Sequence, residues 1–184
     1  MSARRILAVA RAEAILVRRN GWWSIASLFM LLFALALSLA GSAPTGELGA
    51  DMLTVSVASM TTLSVYLVPL LALLIGFDAI AGERERGSLG LLLSYPVGRG
   101  EILLGKAVAH TGALAVACTI GFGVSGVLAF AMSDVSEAAL IALMRLVATS
   151  VLLGTVFLGL GYLLSAGAAG PGAAAGLAAG VWLV

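Results

Sequence analysis

Charged residues divide the chain into four uncharged stretches, 20–46, 52–77, 107–133 and 146–184. A charge at the bilayer centre costs at least ~2.5–3.5 kcal/mol on insertion scales, so charges mark the ends of membrane segments. A helix needs about 20 apolar residues to cross the ~30 Å hydrocarbon core. The first three stretches therefore hold one span each, at 22–40, 54–77 and 107–132. The fourth is too long for one crossing and is broken by the Gly- and Pro-rich run from Ser165 to Gly172, a breaker cluster. It divides into a span at 146–164 and a fifth helix beginning at 173. That last helix is too short to cross, so the sequence reads as truncated within a fifth span. Of the 184 residues, 61% are hydrophobic and 10% charged, against about 45–50% and 25% in soluble domains. The predicted fold is therefore an all-α, polytopic membrane helix bundle. A net charge of +1 offers no field for a polyanion, which excludes nucleic acid as a partner.

Basic residues set the orientation. Arg4, Arg5, Arg11, Arg18 and Arg19 precede the first span, and Arg84, Arg86, Arg99 and Lys106 lie in the second connection, whereas the first and third connections hold only Arg145. The positive-inside rule puts the N-terminus and the 78–106 connection in the cytoplasm, with Trp22 and Trp23 in the inner aromatic belt. The apolar core at 22–40 exceeds the about 7–15 residues of a secretory signal, so it reads as a retained span despite the small residues at Ser38 to Ala43. Residues 1–20 form an amphipathic helix, arginines on one arc and Ile6, Ala10, Ala14 and Val17 largely opposite, suited to lie along the lipid headgroups. Glu13 falls near the apolar arc. It is either a solvated or Arg-paired carboxylate, or a contact with a partner or with the 78–106 connection.

The 78–106 connection has a charged head from Asp78, a leucine cluster at Leu89, Leu91, Leu92 and Leu93, and a turn at Pro96. Such a cluster is either buried on the bundle's own membrane face or presented to another protein. Gly100 to Lys106 fits G-x-x-x-x-G-K, but Ala107 stands where a phosphate loop needs Ser or Thr, and a span follows instead of an α/β sheet. In the second span Ser59, Thr62 and Tyr66 share one face, as interhelical hydrogen-bonding groups or as the wall of a translocation path. Gly172, Gly176 and Gly180 recur every four residues and predict a packing face. One cysteine, one histidine and scattered methionines make no compact metal-ligand set. An enzyme built on Asp78, His110 and the hydroxyl face is disfavoured, because the first two lie at the opposite end of the spans from the hydroxyls.

The run Asp78-Ala-Ile-x-Gly-Glu83, Gly87-Ser88-Leu89, Leu91-Leu92-Leu93-x-Tyr95-Pro96, Arg99 and Ile102-Leu103-Leu104-Gly105-Lys106 resembles the signature connection of ABC-2 type permeases, and Glu13 in its basic leader fits the same pattern. Tyr95-Pro96, His110, Ile120-Gly121-Phe122-Gly123, Val151-Leu152-Leu153-Gly154, Val156-Phe157 and Tyr162 are similar, more narrowly, to permeases that serve copper-centre maturation of nitrous oxide reductase. Related permeases of unknown cargo share the Asp-Ala-Ile-x-Gly-Glu segment. The resemblance implies a type V exporter-like bundle of six spans in the inner membrane, working as a homodimer. Two separate cytoplasmic ATPase subunits would bind ATP and Mg, leaving this chain without a cofactor or catalytic role. The narrower group adds a periplasmic copper-handling partner, with a sulfur species or mechanical work as the output. By position, residues 81–95 would carry the coupling helix, with Glu83 and Glu85 as its polar contacts and Leu89, Leu92, Leu93 and Tyr95 as its docking face. Glu13 and Asp78 would be interfacial or coupling carboxylates. On this resemblance the leucine cluster becomes a partner contact.

Overall fold

The computed structural model describes residues 2–19, 21–41, 52–132 and 137–183. These form helices α1 (Ala3–Arg19), α2 (Gly21–Gly41), α3 (Met52–Gly76), α4 (Asp78–Glu85), α5 (Ser88–Ser94), α6 (Arg99–Met132), α7 (Glu137–Gly167) and α8 (Pro171–Leu183), with no strand among the described residues. Three runs are long and apolar enough to cross a membrane, Val57–Glu85, Arg99–Leu128 and Glu137–Gly167, and α2 holds a shorter apolar stretch at Trp23–Ala36. The first connection falls largely outside the described residues, as do residues 133–136 of the third. α6 and α7 both begin before the first apolar residue of their spans, because a helix does not stop at the membrane surface. Charge marks where hydrocarbon begins, while Pro96 marks where the helix can begin.

The bundle core is built by Met30 of α2, Met60 and Val68 of α3, Leu114, Cys118 and Phe122 of α6, and Leu146 of α7. The most extensive packing joins α3 to α7. It turns on one point of backbone contact, where a Cβ added to Gly161 would lie 3.0 Å from Gly76 Cα. Glycine is needed on both sides, since any side chain would hold the helices apart.

α1 runs beside the first turns of α6. Glu101 accepts hydrogen bonds from the amide of Gly98 at 3.0 Å and the nitrogen of Ser2 at 2.6 Å, and these hold its carboxyl below the ordinary carboxylate range. Further along, a Cβ on Gly105 would come within 2.6 Å of Val9. Trp23, at the start of α2, donates its indole N–H to the Ala113 carbonyl at 3.4 Å. These contacts set α1 against the start of α6 at one end of the bundle, hereafter the polar end, where Glu83 of α4 also meets Lys106 and α5 adjoins α4.

α8 folds back on α3, where Trp182 donates to the Tyr66 carbonyl at 3.0 Å. The packing expected of Gly172, Gly176 and Gly180 is not made within the described chain: a Cβ on any of them meets nothing within 4 Å. Ala174 and Ala178 are the buried residues of α8 instead. The helix is small and apolar all round, so spacing alone carries no sign of which face packs.

Candidate coupling site at the polar end

α4 continues from α3 through Phe77, whose backbone is itself helical. Its amide donors at Ile80 and Ala81 are taken by the Ser165 hydroxyl oxygen of α7, at 3.0 and 2.9 Å. A helix start leaves its first amides without intrahelical partners, and here the partner comes from a residue more than eighty positions away. The compensation is mutual. Arg84 of α4 donates to the Ala166 and Ala168 carbonyls just where α7 ends and its last carbonyls lack N–H donors from the helix ladder. Ser165 is fully buried, so Ser165→Ala would strand two amides without water. The expected loss is about 1–3 kcal/mol of stability, read from the unfolding midpoint of the detergent-solubilised protein, with Ser165→Thr retaining most of it.

Along α4 the Asp78 carboxylate lies over Gly82, where no side chain blocks it, and pairs with Arg86 two turns on at 3.1 Å. Gly87 then takes φ 72°, a left-handed conformation that glycine adopts without steric cost, and the chain turns into α5. No residue of α5 is buried. Tyr95 is extended ahead of Pro96, as the residue before a proline prefers.

Beneath α4 lies a buried ionic network that joins four helices. The Lys106 ammonium of α6 donates to Glu13 Oε2 of α1 at 2.9 Å and to Glu83 Oε1 of α4 at 2.8 Å. Glu13 Oε1 meets His110 Nε2 at 3.0 Å, and His110 Nδ1 meets the Tyr162 hydroxyl of α7 at 2.7 Å. A carboxylate only accepts, so Nε2–H donates to Glu13, which leaves Nδ1 of a neutral ring to accept from Tyr162. Burial pushes the Glu13 carboxyl up, but the His110 hydrogen bond and the Lys106 charge outweigh it and hold the group below the ordinary carboxylate value. Glu83 Oε2 is buried without a hydrogen-bond partner among the described residues. The network borders a cavity of about 550 Å³ that Asp78, Arg86 and Ser88 also line, with Leu71, Leu74 and Trp23 as apolar wall.

The residues read from sequence separate into two groups. Glu13 is joined to the 78–106 connection through Lys106, the second of the alternatives open to it. Glu83, expected as a polar contact for a partner, points inward to Lys106, while Glu85 is exposed. In α5, Leu89 and Leu92 are half-buried and Leu93 and Tyr95 exposed, yet the most exposed leucine of the cluster is Leu91, at 66%. Ser59 is half-buried, whereas Thr62 and Tyr66 lie on the chain's surface, and the Thr62 hydroxyl donates back to the Ala58 carbonyl at 3.4 Å. Lys106, His110, Tyr162, Ser165 and Arg84 were not singled out as site residues. The readable sign was a Lys and a His one turn apart at the start of a span, where an unpaired charge is costly. Among the described residues no three His, Cys, Asp or Glu side chains converge as metal ligands.

The arrangement is a rigid polar platform with an unburied apolar helix on it, and its residues fall in one family match. A family model described as ABC-2 family transporter protein covers residues 7–184. The chain belongs to the ABC-2 family. Two ABC-2 relatives carry the description "Probable ABC transporter permease protein NosY". The one from Pseudomonas aeruginosa is 43% identical over 176 residues, 95% of this chain and 64% of that protein. The one from Stutzerimonas stutzeri is 42% identical over 178 residues, 96% and 64% respectively. The chain thus spans 64% of the length of these relatives. The match takes in most of α1, the α4–α5 connection and the apolar helices, those of a multi-pass membrane protein.

Proposed function

We propose that the chain is the permease subunit of an ATP-driven transporter, its polar end in the cytoplasm, with α5 docking on a separate ATPase and a second permease copy completing the pathway. One observation carries this reading: α5 buries none of its residues, while α4, which bears it, is fastened to α6 by Lys106 and to α7 by Ser165 and Arg84. An apolar helix held firmly and left uncovered suits a docking element. ATP and Mg belong to the partner, which closes on nucleotide and moves α4, biasing the bundle between two states. This chain then contributes no catalytic residue of its own.

Docking is tested by copurifying the permease with its cognate ATPase. Leu91→Asp should weaken the complex about 30-fold, the effect of losing one buried hot-spot contact, and abolish stimulated ATP hydrolysis. Its side chain is exposed in the free permease, so the fold itself should be untouched. An intact, stimulated complex would refute docking through α5.

For the output we favour copper-centre maturation of nitrous oxide reductase, through export of a sulfur species or work on a periplasmic copper-handling protein. Support comes from the 43% identity to a protein described as NosY and from the resemblance at Tyr95-Pro96, His110 and Tyr162. Deleting the gene should leave reductase without copper. A fully metallated reductase would point instead to a general ABC-2 exporter.

A further inference from the structure

Between α1 and α6 runs a groove of about 480 Å³, within the size range of small-ligand sites. It shares Val17 and Trp23 with the cavity beside the ionic network, but Glu13, Lys106 and His110 do not line it. Its walls are apolar: Leu7 and Ala14 of α1, Val108, Gly112 and Val116 of α6. Leu7, Val108 and Val116 are each about half exposed on it. A Cβ added to Gly112 meets nothing within 4 Å, so the floor is open space and not a contact awaiting closure. Along the rim stand Arg11 and Arg18, seven positions apart and so on one helix face. Both are exposed, and neither lies within ion-pair distance of a carboxylate among the described residues, whereas Arg5 pairs with Glu101 at 3.8 Å. Trp23, which closes one end, belongs to the aromatic belt expected at the membrane surface.

We infer that this groove binds one anionic phospholipid, with its acyl chain along Val108, Gly112 and Val116 and its phosphate between Arg11 and Arg18. The occupant follows from juxtaposition. Two exposed guanidiniums without a carboxylate partner among the described residues suit an anion, and the apolar trough beside them suits hydrocarbon attached to that anion. At the level of an interfacial tryptophan, a phospholipid supplies both. A protein helix would cover the trough but would have to bring its own carboxylates to the rim. The inference rests on the membrane placement of α1 and α6 and is independent of the ATPase and the cargo, so either can fail without the other.

The test is native mass spectrometry of the full-chain permease, titrated with phosphatidylglycerol and with phosphatidylcholine of identical acyl chains. The unmodified protein should prefer phosphatidylglycerol by at least about tenfold, since each basic residue near an anionic headgroup contributes on the order of one factor of five. Arg11→Gln/Arg18→Gln should abolish the preference. Arg5→Gln/Arg19→Gln removes the same charge from parts of the same helix that do not line the groove and should keep it within about threefold. Gly112→Leu, which fills the trough without touching the rim, should weaken binding of both lipids while leaving the melting temperature unchanged. Equal losses in the two arginine pairs would overturn the inference in favour of diffuse surface charge. Undiminished binding in Gly112→Leu would overturn it as well.

Discussion

Lys106→Met should destabilise the folded permease by about 3–5 kcal/mol, the usual consequence of removing one partner from a buried ionic group. Met keeps the length and most of the apolar stem, so the loss isolates the charge. Lys106 is 2% exposed and serves two carboxylates at once, Glu13 at 12% and Glu83 at 14% exposure. Without it both stay buried with no Lys or Arg in contact with either among the described residues. The triple variant Lys106→Met/Glu13→Gln/Glu83→Gln removes all three charges and should recover most of the loss, because a neutral replacement of a buried ion pair is commonly no worse than the pair. Unfolding midpoints in detergent micelles would measure both. A single variant within 1 kcal/mol of the parent would show the cluster to be hydrated, and the account of the polar end would then need revision. Function should fail alongside stability: with α1 and α4 released from α6, ATPase stimulation should be lost even though α5 and Leu91 are intact.

A second large effect is expected at Gly161→Leu. The added Cβ would sit 3.0 Å from Gly76 Cα and 3.3 Å from Gly76 C, which are backbone atoms with no rotamer to yield. Relief requires α3 and α7 to separate, and theirs is the most extensive packing in the bundle. Overpacking of this kind costs about 1–3 kcal/mol and occasionally more. Gly159 supplies the control from the same helix, since a Cβ there meets nothing within 4 Å. Gly159→Leu should change stability by no more than about 0.5 kcal/mol. Equal effects at the two positions would refute the close α3–α7 crossing.

Much of the architecture was legible because membranes punish charge. Four apolar stretches marked where α2, α3, α6 and α7 run, three of them long and apolar enough to cross a membrane, and Ser165 to Gly172 the break between α7 and α8. Glu13 also gave a partial sign, lying toward the apolar side of α1 where a carboxylate needs a partner. Its partners could not be read, because Lys106 and His110 lie more than ninety positions away and only the folded bundle sets them beside it. Packing faces were opaque for another reason. α3, α6, α7 and α8 are apolar around their whole circumference, so periodicity carries no face information. Gly161, Gly159 and Gly176 look alike in sequence, yet only Gly161 meets another backbone. In α5 the family resemblance, and not the leucine spacing, gave Leu89, Leu92 and Leu93 as the docking face. The turn at Gly87 sets Leu89 and Leu92 half-buried and leaves Leu91 outermost. Ser165 read as a helix breaker, and its second role exists only because α4 arrives above it.

The reciprocal fastening of α4 and α7 also fixes the mechanical gain of the molecule. α7 runs as one helix of 31 residues, roughly 46 Å at 1.5 Å per residue. Because Ser165 in the last turn of α7 caps the start of α4 and Arg84 in the last turn of α4 caps the end of α7, the proposed coupling would move the pair as a single lever. A tilt of about 10° imposed at one end would sweep the other through roughly 8 Å over that length. Small strokes delivered at the polar end would thus be returned, enlarged, on the opposite face of the membrane.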